Sequence, residues 1–230
     1  MRYFFLLLLC STFSTSLAAQ AKPKTVDLKK GQVFDIIFLT NDPAAKDLMQ
    51  DYFKRAFPIA QANGYTSGGG FGIAGTPIRG NYHPEVMAIG TWPGLAERTA
   101  GLAALETQMD DFHEMRRKIW PTFNLTYYEM KEAASFTIKT EKYYVVTAFW
   151  AEQKGRFKKF LKQWEVTQAK AGGTPLLVLT DGTSPFGYNF EPDYFTITEW
   201  KSEAAFLRSL PEDNKRGYPG VRHLNQFPIK

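Results

Sequence analysis

The chain has 230 residues, 44% hydrophobic and 15% aromatic, with 28 Lys and Arg against 23 Asp and Glu for a formal charge of +5. That is enough apolar mass for the core of one domain or two small ones, and too slight a basic excess to imply nucleic acid as a partner. Cys10 is the single cysteine and the three histidines are scattered, which excludes a disulfide framework and leaves no metal-ligand spacing.

Residues 1–21 read as a secretory signal peptide: Arg2, a short apolar run over 3–9, then small polar residues ending in Ala19-Gln20-Ala21. The apolar run is too short to span a bilayer, and no later segment has the length of a membrane helix. Cys10 lacks the small residue that precedes a lipidated cysteine. The product is expected to be soluble and periplasmic or secreted.

Residues 32–39, QVFDIIFL, are β-branched and aromatic and predict a strand. Residues 41–64 open on Asn41 and Asp42 and repeat Leu48, Met49, Tyr52, Phe53 and Phe57 on one face. They predict a helix ending near Gly64, with Pro58 a point for a kink or an early stop. A glycine-loosened strand over 65–76, the connection GNYHP and a strand over 85–92 follow. A broken helix over 94–120 and a strand over 122–130 complete a βαββαβ unit.

The second half runs the same way: strand 142–150, helix 152–173, strand 174–182, the connection SPFGYNFEP, strand 193–200, helix 202–210 and strand 220–229. In KGRFKKFLKQW the lysines lie opposite Phe157, Phe160, Leu161 and Trp164, and form the wet side of an amphipathic helix. The stretch GNYHPEVMAIGTW at 80–92 is echoed by GYNFEPDYFTITEW at 187–200. Gly172, Pro192 and Trp200 each follow Gly64, Pro84 and Trp92 by 108 residues, a constant offset that predicts internal duplication. The repeats are expected over 30–132 and 136–230. Each is a split βαβ unit, ferredoxin-like, with strands apolar on both faces. One face takes the helices and the other needs a second sheet, so two βαββαβ repeats should close one pseudo-dimeric α+β barrel.

On these residues the chain resembles the dimeric α+β barrel superfamily: a strand, an amphipathic helix, the GNYHPE connection, and a run closing in TW or EW before a helix. That group includes antibiotic-biosynthesis monooxygenases, haem-degrading monooxygenases and NIPSNAP proteins. The resemblance covers the chain from about residue 32 onward and implies a fold; it does not imply one activity.

Candidate site residues come from comparing the halves. Aligning the fourth strands with NLT on HLN, Asn124 on His223, puts His223 and Asn225 on one face, matching Asn124, Thr126 and Tyr128. On the third strands Tyr194, Thr196 and Thr198 match Val86, Ala88 and Gly90, while Phe195 and Ile197 match Met87 and Ile89. The apolar rows are expected against the helices and the polar rows inside the barrel; a slip of one residue would exchange them. In that interior His223 is the candidate general base, with Tyr194 or Tyr128 as acid or oxyanion partner. Asn124, Thr126, Asn225, Thr196 and Thr198 would line the cavity, and His83 and Tyr82 would rim it. The bland reading makes His223 a hydrogen-bonded residue of the sheet. His113 reads as helix surface. GGGFG opens no helix, so it is no phosphate loop.

The expected function is an exported small-molecule-binding barrel without a tightly bound cofactor, catalytic if the His/Tyr set performs acid-base work. Three other classes stay open: a cofactor-independent or haem-linked oxygenase, implied by the resemblance; a lyase or isomerase on acidic sugars; and a non-catalytic binding or assembly module whose barrel is filled by its own side chains. The partner is a small organic molecule or acidic saccharide, with no nucleic acid and with a homodimer also open.

Overall fold

A computed structural model describes residues 23–188, 190–211 and 217–230; the expected signal peptide lies outside them. In chain order the elements are β1 (Lys24–Leu28), β2 (Val33–Thr40), α1 (Lys46–Ala62), β3 (Thr66–Gly72), β4 (Val86–Trp92), α2 (Leu95–Gln108), α3 (Phe112–Ile119) and β5 (Thr122–Glu129). They continue with β6 (Ala134–Ile138), β7 (Tyr143–Ala151), α4 (Lys154–Lys170), β8 (Thr174–Leu179), β9 (Tyr194–Trp200), α5 (Glu203–Leu207) and β10 (Val221–Ile229). Among the described residues no helix is long and apolar enough to cross a membrane.

The two halves build the same antiparallel sheet, ordered β3-β4-β2-β5 in the first and β8-β9-β7-β10 in the second. Their inner faces meet, joining Phe34, Ile36, Phe38, Met87 and Ile89 to Tyr144, Val146, Phe195, Ile197 and Phe227 in one buried cluster. Each such side chain taken from water contributes roughly 1.5–3 kcal/mol. Helices α1 to α3 cover the outer face of the first sheet, and α4 and α5 that of the second.

The chain closes the barrel by crossing between halves. After β3 the backbone leaves its own sheet and runs beside β10: Gly72 and Lys230 exchange hydrogen bonds, and Ile78 N–H donates to the Gln226 carbonyl at 2.8 Å. After β8 the chain crosses the other way, where Tyr127 and Thr183 exchange bonds of 2.9 Å. Each half therefore covers the open edge of the other's fourth strand. At the first crossing Gly80 has φ +79°, and a Cβ there would run into Asn225 Oδ1 and the Leu224 carbonyl. Gly80→Ala is expected to cost about 1–3 kcal/mol, read as a lower denaturant midpoint at unchanged slope. An unchanged midpoint would mean the crossing is not fixed there.

Three details depart from the sequence reading. Strands β1 and β6 pair antiparallel and seat Val26, Leu28, Phe136 and Ile138 in the barrel core. Neither was expected, because each is short and its partner lies more than a hundred residues away. Pro58 sits inside α1, which runs on to Ala62, close to the end expected at Gly64, so the early stop does not occur. Pro58 and Lys54 are both exposed, so the carbonyl freed by the missing N–H faces solvent. The third correction concerns faces: Phe195 and Ile197 point into the barrel, while Tyr194, Thr196 and Thr198 face the helix side. The space between two sheets is shut off from water, so the row without polar atoms goes there. Acceptors are found there: Thr196 Oγ1 donates to the Leu177 carbonyl of the neighbouring strand at 2.8 Å and the Tyr194 hydroxyl to Glu165 of α4 at 2.9 Å.

Candidate functional site

The fourth-strand residues do face the interior. Asn124 stands opposite Phe38 and Asn225 opposite Ala148, so Asn225, not His223, is the equivalent of Asn124. The slip is two residues, one full pleat period, which is why the face survived. His223 is half-buried, its Nε2 3.1 Å from Asn225 Oδ1 and its ring 5.1 Å from Trp150. Asn124 donates to the Tyr82 hydroxyl at 2.7 Å, and Thr126 to the Phe190 carbonyl. Tyr128 is buried without a partner for its hydroxyl, whose pKa burial raises. His83 is exposed and meets the Gly75 carbonyl at 2.7 Å. The set is thus split between two faces of the sheets: His223 and Asn225 meet, Tyr82 meets Asn124, and Tyr194, Thr196 and Thr198 stand apart. Phe34, Phe38, Tyr128, Tyr144, Phe195 and Phe227 occupy the interior between them.

Open space lies on the other side of the first sheet. A cavity of about 430 Å³ sits between that sheet and α1 to α3. Register explains its position. Leu39 faces Val86 in the first half, where Phe149 faces Tyr194 in the second. Helices α1 and α4 are both 17 residues long and are followed by glycines at positive φ, Gly64 and Gly172. Counting back from those glycines, Ala56 stands where α4 has Trp164. The second half fills the equivalent space, with Trp164 5.1 Å from Phe149 and 6.2 Å from Tyr194, ring to ring. Leu39, Val86 and Ala56 leave it empty in the first.

The cavity floor carries charge. The Asp35 carboxylate accepts from Trp92 Nε1 and from Arg98 Nε, both at 2.8 Å. Burial pushes this carboxyl up, while Arg98 and Trp92 pull it back down. The Arg98 guanidinium lies 4.0 Å from the Tyr127 ring centroid. Tyr65 packs against Gly90, where any Cβ would meet its ring; burial and the Asp35 charge push its hydroxyl up to about 12. In the second half these positions are Val145 for Asp35, Phe206 for Arg98 and Gly173 for Tyr65, and the Trp200 indole N–H is buried with no partner. An uncharged floor therefore matches the filled half, and a charged one the open half.

Arg116 is the remaining polar wall. Its Nε donates to the Tyr52 hydroxyl at 2.8 Å, and its guanidinium lies 4.0 Å from the Phe112 centroid and 4.6 Å from that of Phe123. The lining contains no histidine or cysteine. The Tyr52 hydroxyl is taken by Arg116, and that of Tyr65 lies against Gly90. Haem iron takes an axial donor from His, Cys, Tyr or Met, and of these the lining offers only the Met49 thioether beside the two committed tyrosines, a poor fit to haem.

No family model and no curated protein sequence matches the chain. Solved structures do. A protein described as anthrone oxidase-like matches at 13% identity over 90% of this chain and 94% of its own, with a TM-score of 0.51. A mutant chlorite dismutase from Candidatus Nitrospira defluvii matches at 10% identity over 88% and 93%, with a TM-score of 0.50. At such identities the likeness shows the fold alone, an α+β barrel built of two antiparallel sheets with helices outside.

Proposed function

We propose that the protein binds a flat, apolar ring compound in the first-half cavity, between the sheet and α1. The observation that carries this reading is the difference between halves: Ala56, Leu39 and Val86 beside a floor of Asp35 and Tyr65 with Arg98 paired behind Asp35, against Trp164, Phe149 and Tyr194 beside Val145, Phe206 and Gly173. Most of the lining is aromatic or aliphatic, which suits ring compounds better than an acidic sugar polymer. The repeated sheet order supports descent by tandem duplication, with repeats over 30–132 and 136–230, and the leader-like start supports export. N-terminal sequencing of the mature protein tests the export.

A second reading makes the site an oxygenase, favoured by the likeness to the anthrone oxidase-like protein. The step balances without an outside reductant: a ring methylene and O2 become a carbonyl and water. This chain would supply a dry cavity and the Tyr65 hydroxyl, which stays protonated and donates to a ring oxygen.

Both readings are tested with anthrone and 2-naphthol. At a hundred times its Kd a ligand stabilises the native state by about 2.7 kcal/mol, a rise in melting temperature of several degrees. Val86→Tyr, which installs the second half's residue, is expected to abolish the rise. A rise that persists in this variant places the ligand elsewhere. An oxygen electrode then separates the two: uptake with anthrone supports oxygenation, and binding without uptake leaves the binding reading alone.

A further inference from the structure

The buried charges around the cavity do not cancel. Asp35 is matched to Arg98 at 2.8 Å. Arg116 has no such match: among the described residues no carboxylate lies within ion-pair distance of it. Its side chain is 8% exposed, and its Nη1 is buried with no hydrogen-bond partner. Whichever protonation state Asp35 holds, the trio of Asp35, Arg98 and Arg116 remains net positive, since arginine keeps its proton in proteins. The rings of Phe112 and Phe123 offset part of the cost of burying this cation, and leave its outer edge unused.

Arg116 also stands between two spaces. It lines the inner cavity and, with His113, Arg117, Phe186 and Tyr188, a second one of about 320 Å³. The second space has cationic side chains and aromatic faces and no acidic residue in its lining.

Resting on the reading of the first-half cavity as a ring site, we propose that its ligand is an aromatic acid whose carboxylate is the counter-ion of Arg116. The ring lies beside Ala56 and Tyr52. The carboxylate accepts from the guanidinium where Arg116 lines the cavity, which its fork geometry suits. Arg116 then selects for charge, while Ala56, Leu39 and Val86 select for shape.

Calorimetric titration at neutral pH with 2-naphthoate and its uncharged analogue 2-naphthalenemethanol tests this. A charge-assisted hydrogen bond in a buried site predicts that wild type binds the acid about 10- to 100-fold more tightly than the alcohol. Arg116→Gln is expected to bring the two affinities together by weakening the acid alone, and Arg116→Lys to restore part of the gap. A structural role for Arg116 would weaken both probes equally, and that result overturns the proposal. So does a wild-type acid-to-alcohol ratio near one, which needs no variant to fold. Ala56→Trp separates this failure from that of the ring site: it should abolish binding of both probes, and retention of both sinks the cavity reading itself. If neither probe binds wild type, both readings fall.

Discussion

Asp35→Val is expected to lower stability by about 3–5 kcal/mol, because it strips a buried arginine of the carboxylate it is paired with. Arg98 is 3% exposed, so the uncompensated guanidinium has no route to water without opening α2 from the sheet. The same change orphans the Trp92 indole N–H. Arg98→Phe should cost less, since a carboxyl can shed its charge by taking a proton and a guanidinium cannot. Its loss should also depend on pH. With Arg98 gone the folded carboxyl is held above its unfolded value of about 3.9, so the native state keeps its proton longer. The contribution of this carboxyl to the stability of that variant is therefore fully present below the unfolded value and is lost as pH climbs from there through the raised folded value. The double variant Asp35→Val with Arg98→Phe reproduces the Val145 and Phe206 pair of the second half, and should recover most of the Asp35→Val loss. Guanidinium denaturation of the four proteins at neutral pH measures this. A loss below about 1 kcal/mol for Asp35→Val would mean that the pair is hydrated, and no recovery in the double variant would mean that the halves are not interchangeable here.

Much of the barrel could be read from residue order, because one requirement acts along the whole chain: strands apolar on both faces must be covered twice. Strand order, helix positions and the echo of Trp92 in Trp200 all follow from it. The face of the third strand does not follow from it. Period-two alternation separates two rows of a strand but carries no sign, and polarity alone points Tyr194, Thr196 and Thr198 inward. Polar side chains instead went where partners were, Glu165 and the Leu177 carbonyl. The site itself had left signals. Asp35 is a lone carboxylate in QVFDIIFL, and a charge in a strand buried on both faces calls for a partner. Arg116 falls in the helical row of Phe112, Met115 and Ile119, all buried. Comparing first strands as well as third and fourth would have set Asp35 against Val145. The partners Arg98 and Tyr52 lie on separate helices, and which helix folds over which strand is decided by packing between elements distant in the chain.

The contrast between halves makes shape and charge separable. Trp164 is 5% exposed and wedged against Phe149 and Tyr194, so Trp164→Ala removes a large side chain from a site with few ways to collapse. The expected cost is about 3–5 kcal/mol, seen as a lower denaturant midpoint. The space opened corresponds to the one beside Ala56, yet it is floored by Val145, Phe206 and Gly173 where the first half has Asp35, Arg98 and Tyr65. An apolar hollow accepts apolar ligands, as engineered cavities do, but this one offers a carboxylate no cation. Trp164→Ala should therefore leave the stoichiometry of 2-naphthoate at one per chain while admitting a small neutral arene such as benzene. A second equivalent of 2-naphthoate would show that volume alone builds a site in this fold, and the buried charges of the first half would then answer to stability, not to recognition.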